Sequence, residues 1–189
     1  KRPGAGKVVI SINVSARQLD DLELPDKIFA MTQKYEVPVQ NIKVEVTEST
    51  AIGGHDGHKV LTKFSQHGFK LAIDDFGMGH TSLSYLREFE VSSLKLDSII
   101  SRDVLVSRSS REIVYTIADL CRNLGIELIA EFVEDEAHLL KLRELGCYNI
   151  QGYFYSKPLL PEDCLLFILD QHPSYGEVEE EIRNKSVCS

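Results

Sequence analysis

The chain has 189 residues, of which 43% are hydrophobic and 26% charged, and a formal net charge of −8. That composition belongs to a globular domain with a sizeable core, and the acidic balance argues against a broad electrostatic footprint for duplex nucleic acid. No apolar run approaches the roughly 18 residues of a membrane span, and the start, KRPGAGKVVISINV, reads as a strand and not as a signal peptide.

Taken in chain order, strand signals alternate with helix signals. The first strand is expected over Lys7 to Val14 and ends near Asn13. The second, Ile42 to Thr47, carries Glu45 and is followed by Glu48. The third, Lys70 to Phe76, ends in two adjacent carboxylates, Asp74 and Asp75, and runs straight into the glycine-rich loop FGMGH. The fourth, Ser93 to Asp97, carries Lys95 and closes on Asp97. SREIVYTIADLCRNLG follows with apolar residues at helical spacing and a stop at Gly125. The fifth strand, Ile126 to Val133, holds Glu131 and leads to Glu134. EDEAHLLKLRELG begins acidic and stops at Gly146, as a helix should. The sixth, Tyr148 to Tyr155, contains Gln151. Beyond Cys164 a helix is expected, then a polar acidic stretch, which divides the chain into a main domain over 1–172 and a helical or frayed tail over 173–189.

Alternation of this kind implies βαβ crossovers and a parallel sheet. Neighbouring strand side chains point to opposite faces, so Asp74 and Asp75 can serve one site only where the strand gives way to a loop. Two carboxylates held this close repel unless a cation or a proton intervenes. A divalent-metal site is the sharp reading; a solvated acidic turn is the plain one. Polar residues near the C-terminal ends of all six strands favour a barrel, where those ends converge on one mouth, over an open doubly wound sheet. A closed barrel of this type has eight βα units, so two further strands are expected upstream of Lys1. The four cysteines lack metal-like spacing and suit a reducing, cytoplasmic setting, with two of them, in apolar helical or strand contexts, as small buried hydrophobes. HDGH, at 55–58, looks metal-like but reads better as a helix N-terminal turn. Tyr148, Tyr153, Phe154 and Tyr155 read mainly as strand packing.

The ordered stretches INVSARQL, VEVTES, IDDFGMGHTSLSYL, LKLD, IAEFVE and LGCYNIQGYFYSKPL resemble the EAL-domain cyclic-di-GMP phosphodiesterases. The resemblance implies a TIM-type (β/α)8 barrel, N-terminally incomplete here, that hydrolyses one phosphodiester bond of cyclic-di-GMP to give linear pGpG with two Mg²⁺ or Mn²⁺ ions. It implies Asn13, Glu45, Asp74 and Asp75 as metal ligands and Glu131 and Lys95 as catalytic groups. It gives Asp97, Glu134, Gln151 and Glu48 supporting or substrate-binding roles. It also implies a homodimer and flanking sensory or GGDEF-type domains. Read by itself, each residue has a plainer role open to it: Asn13 as a helix cap, Glu45 and Glu48 as strand-end acids, Lys95 as a partner for Asp97, Glu134 as a first-turn glutamate, Gln151 as a core hydrogen-bonding group. Hard cations prefer such all-oxygen donor sets.

The sequence departs from the family pattern in places. It contains no E-A-L triplet, so the glutamate that names the family is expected upstream. Phe132 stands where the A-E-G-V-E motif commonly has glycine, and Met78 and His80 replace a smaller and an aromatic residue in the loop after the Asp pair. A non-catalytic receptor of the same fold, binding the dinucleotide without cutting it, is the second reading.

Overall fold

The computed structural model describes residues 8–52, 55–77, 86 and 88–171. Met78, His80 and the 173–189 tail lie outside them. Residues Val9–Tyr155 form one compact unit. A second unit comprises Val8 and, among the described residues, 156–171, with a helix over Pro161–Gln171.

The first unit is built on six strands: β1 (Ile10–Asn13), β2 (Ile42–Thr47), β3 (Lys70–Phe76), β4 (Val91–Leu96), β5 (Glu127–Ala130) and β6 (Asn149–Ile150). All pair in parallel and in strict chain order, with β1 and β6 at the edges. This is the wall expected of the barrel, in six consecutive positions. The central strands are sealed on both faces. The edge strand β1 is mostly exposed.

Alternation along each strand sorts the side chains. One set is apolar: Val44 and Val46, Leu71 and Ile73, Leu94 and Leu96, Leu128 and Ala130 are buried. They share a core with Val60, Leu61 and Phe64 of helix α3 (His55–Gln66) and with Val114, Ile117, Ala118 and Cys121 of helix α5 (Arg108–Leu124). Leu139 and Leu142 of helix α6 (Glu136–Glu144) complete it. Cys121 and Cys147 are buried and Cys164 is exposed; burial pushes the Cys121 and Cys147 thiols up to about 11 and about 12.

The other set is polar. Asn13, Glu45, Ala72, Ser93 and Glu127 fall in one register row across five strands. Lys43, one step below Glu45 on its face, reaches from β2 to β5 and pairs with Glu127 at 3.1 Å. The intervening strands present Ala72 and Ser93 in that row, short side chains that leave room for the lysine stem.

Local signals set the helix ends. Ser107 caps α5 by accepting the Ser110 N–H, and Gly125 ends it at φ 69°. Asp135 caps α6 by accepting the His138 N–H at 2.9 Å. Helix α4 (Ser98–Asp103) begins on Asp97, whose carboxylate accepts the Ile99 N–H at 2.8 Å. The expected sixth strand is cut short after Ile150, because the chain there folds against β5's exit: Val133 N–H donates to Gln151 O and Phe154 N–H to Val133 O. Tyr148, Tyr153, Phe154 and Tyr155 are therefore largely exposed and not packed within a strand.

That crossing requires glycine at 152, where a Cβ would stand 2.1 Å from the Val133 carbonyl oxygen. The obstacle is backbone, with no rotamer to yield. Gly152→Ala is expected to destabilise the chain by roughly 2–3 kcal/mol, read as a lower urea midpoint with an unchanged slope. No helix among the described residues is long and apolar enough to cross a membrane.

Candidate active site at the strand ends

Lys95 is the centre of the polar face. It is 4% exposed, and its Nζ stands 2.6 Å from Glu131 Oε1, 2.8 Å from Glu45 Oε2 and 3.4 Å from Asp74 Oδ1. Strands β2, β3 and β4, with the residue that follows β5, thus deliver one ammonium and three carboxylates to one point; the fifth strand ends at Ala130, one residue short of Glu131. All four charges lie toward the C-terminal ends of the strands, where the barrel mouth lies. Glu45 and Glu131 are as enclosed as the lysine, at 5% and 9% exposure.

Burial alone would push the Lys95 ammonium to a low pKa, but the bonds from Glu131 and Glu45 and the charge of Asp74 outweigh it and hold the group above the ordinary lysine value. The Glu131 carboxyl is raised chiefly by burial, an effect its bond to Lys95 reduces and the nearby Asp74 and Glu45 charges reinforce. Asp75 is raised by burial first, then by the charges of Asp74 and Asp97, and eased by Lys95.

The backbone explains how consecutive aspartates share one rim. Asp75 takes a left-handed conformation, φ 54°, which breaks the strand's alternation, and its N–H closes onto Asp74 Oδ1 at 3.0 Å. Gly77 follows at φ 107° and donates its N–H to Glu48 Oε2 at 3.4 Å. Glu48, at the start of the short helix α2 (Glu48–Ile52), is buried, and its Oε1 has no hydrogen-bond partner among the described residues.

The other candidates stand further out. Asn13 ends β1 opposite Glu45 in register but is exposed. Asp97 spends its carboxylate on the α4 cap, and its N–H donates to Phe76 O at 3.2 Å. Glu134 and Gln151 are exposed, and no bond among the described residues ties their side chains to Lys95 or its partners. His58 of the HDGH stretch lies in α3, 3.4 Å from Glu88.

Two features were not apparent in the sequence. The Lys43–Glu127 pair joins residues 84 apart, and nothing local marks it. Phe132 adopts φ 57°, a conformation that costs a residue with a Cβ roughly 1–2 kcal/mol. Its ring is half exposed under the guanidinium of Arg102. The glycine usual at this place would carry no such strain.

Among the described residues no three His, Cys, Asp or Glu side chains stand in metal-binding geometry. The reason is visible in the cluster: Glu45, Asp74 and Glu131 are all turned onto the Lys95 ammonium. The donor set still suits a hard divalent cation, since every candidate ligand offers oxygen. The raised Asp75 carboxyl, crowded by Asp74 and Asp97, marks a place where added positive charge is favourable.

An EAL domain family model matches residues 2–158. The signaling protein YkoW of Bacillus subtilis is 39% identical over 163 residues, 86% of this chain and 20% of that protein. Among solved structures, one described as PaMucR Phosphodiesterase, c-di-GMP complex, aligns with TM-score 0.79 and 33% identity over 85% of this chain and 66% of that one. A manganese/cy-diGMP complex of Klebsiella pneumoniae BlrP1 aligns with TM-score 0.76 and 31% identity over 81% of this chain and 40% of that one. The chain spans about a fifth of the length of the curated relative. With a match that runs from before β1 to beyond β6, the chain belongs to the EAL domain family.

Proposed function

We propose that this chain is the metal-dependent phosphodiesterase domain of a cyclic-di-GMP signalling protein, cutting one of the two phosphodiester bonds to give linear pGpG. The observation that carries the reading is the Lys95 cluster at the strand ends, an enclosed cation among three carboxylates where an anionic phosphate would need placing. The PaMucR and BlrP1 complexes, each holding the dinucleotide, support the choice of substrate.

Asn13, Glu45, Asp74 and Asp75 would hold two Mg²⁺ or Mn²⁺ ions, which supply Lewis-acid charge for activating water and neutralising phosphate. Glu131, its carboxyl raised by burial, is placed to take the proton of the attacking water. Lys95 is placed to balance the charge that grows on the phosphoryl oxygens as the new P–O bond forms and the ester P–O bond breaks. Glu48 anchors the loop after Asp75 through Gly77 N–H. Asp97 fixes α4 beside that loop, and Glu134 and Gln151 line the rim for the ligand. The domain extends over 1–172 with a separate tail over 173–189. It works in the cytoplasm as a homodimer, beside sensory or GGDEF-type domains.

The test is release of pGpG from cyclic-di-GMP with Mn²⁺, with Glu131→Ala as control. Turnover that Glu131→Ala lowers by about 10²-fold or more is the expected result. Tight binding of the dinucleotide with no turnover would assign a receptor instead.

A further inference from the structure

His138, in the first turn of α6, has both ring nitrogens turned onto oxygen. Nδ1 lies 2.8 Å from both Asp135 carboxylate oxygens, and Nε2 lies 3.1 Å from the Arg102 carbonyl oxygen. A carbonyl oxygen can only accept. The Asp135 carboxyl is held below the usual carboxylate range by the His138 backbone N–H and then by its ring, so at neutral pH it is ionised and also only accepts. A ring with one proton serves one of these acceptors and turns a lone pair on the other. Both contacts are satisfied together only by the imidazolium.

What the second contact holds is the end of α4. Arg102 lies in its last turn, whose carbonyls have no partner inside the helix. Two side chains from other helices take up carbonyls there. His138 bonds Arg102 O, and Arg111 of α5 donates to Val104 O at 3.1 Å and to Leu105 O at 3.2 Å. Arginine keeps its charge throughout, whereas histidine gives up its second proton between about pH 5 and 8. The other charged groups of the elements that meet around the ring do not stand in for it. The Arg102 guanidinium lies over the Phe132 ring, and Lys141 pairs with Glu144 at 2.5 Å. Asp103, Glu134 and Glu136 make no ion pair with the ring among the described residues.

We propose that His138 is a proton-operated latch: its imidazolium ties the start of α6 to the end of α4, and loss of one proton releases Arg102 O while the bond to Asp135 stays. The remaining proton goes to Asp135 because a hydrogen bond to a carboxylate is the stronger of the two. The tie is complete while Asp135 is ionised and the ring carries two protons. It is lost as pH rises through the histidine range, and again in acid once Asp135 takes up a proton. The latch bears on the rim through α4 itself, which begins on Asp97 and sets Ile100 against Gly77 in the turn after Asp75, where a Cβ would stand 2.6 Å from Ile100 Cδ1. It does not depend on the phosphodiesterase reading.

The test is an NMR titration of the full chain from about pH 5 to 8, reading the His138 ring ¹⁵N shifts and the Arg102 carbonyl ¹³C shift. At the acid end both ring nitrogens are expected to be protonated. As the ring loses a proton, the Arg102 carbonyl shift should move with the same midpoint. Protection of the Ser107 amide, which donates to Asp103 O at 2.8 Å, should fall about threefold over the same range once corrected for intrinsic exchange. In Asp135→Asn, which still caps the helix, the proton affinity of the ring should drop about threefold. In His138→Gln the side-chain amide can donate to Arg102 O at every pH, so the carbonyl shift and the Ser107 protection should lose their pH dependence. A singly protonated ring at the acid end, a ring that titrates while the Arg102 carbonyl shift stays still, or a pH-dependent carbonyl shift that survives in His138→Gln overturns the proposal.

Discussion

Lys95→Met is expected to abolish measurable hydrolysis, a loss of about 10³-fold or more, and to destabilise the metal-free protein by about 3–5 kcal/mol. The methionine fills nearly the same volume, so packing is not the cause. What disappears is the one positive charge among Glu45, Asp74 and Glu131, at 2.8, 3.4 and 2.6 Å. Three enclosed carboxylates would then either repel one another or take up protons. Because the folded lysine holds its proton above the ordinary range, its contribution is intact below about pH 10 and fades only as pH climbs through the folded value. Urea titrations with chelator, and with Mn²⁺, would check the assignment. The destabilisation should shrink when Mn²⁺ is present, since an added cation replaces part of the missing charge. Turnover near that of the unsubstituted chain would remove Lys95 from the mechanism.

Asp75→Asn should separate function from stability in the opposite direction. Asparagine tolerates the left-handed backbone at 75 as well as aspartate does, so the turn survives. Affinity for Mn²⁺ is expected to fall by about 10²-fold or more, since even residues behind the ligands cost 10–100-fold, and hydrolysis should fall with it. The metal-free protein should become slightly more stable, because the carboxylate removed, though exposed, is one that partial desolvation and the charges of Asp74 and Asp97 disfavour. The sign follows from the raised folded pKa: ionised Asp75 costs stability above its unfolded value, near 3.8. The gain should therefore be present at neutral pH and vanish in acid below that value. Thermal melts with chelator across that range, beside Mn²⁺ titrations, test both halves. A lower melting temperature at pH 7 would show that Asp75 is a structural residue.

Much of this architecture was legible in the sequence. Val, Ile and Leu runs broken by Gly125 and Gly146 located strands and helix stops, because those signals are local. The Asp74–Asp75 pair pointed to a strand end, and the left-handed backbone at Asp75 is the device that makes it one. Three-dimensional pairings were less accessible. That Glu45, Asp74 and Glu131 converge on Lys95 follows from the side-by-side order of β2 to β5 and the exit of β5, which no short window contains. The Lys43–Glu127 pair depends in addition on small side chains at Ala72 and Ser93. Tyr153 to Tyr155 has the composition of a strand, but the close crossing at Gly152 overrides it, as tertiary contact often overrides β propensity. Phe132 offered only a departure from a motif. Its strain and its Arg102 partner exist only in the fold.

The ammonium at the heart of the rim has a bearing on how ions are taken up. A zinc finger gains its structure and its metal together, so affinity is spent on folding. Here an internal counter-ion already offsets part of the acids' charge, so the scaffold leans less on a guest to stay assembled. With the proposed ligands, loading would be an exchange of partners, in which Glu45 and Asp74 loosen their hold on Lys95 as a divalent ion arrives. Chelation should then empty the rim reversibly while leaving the sheet and its helices intact.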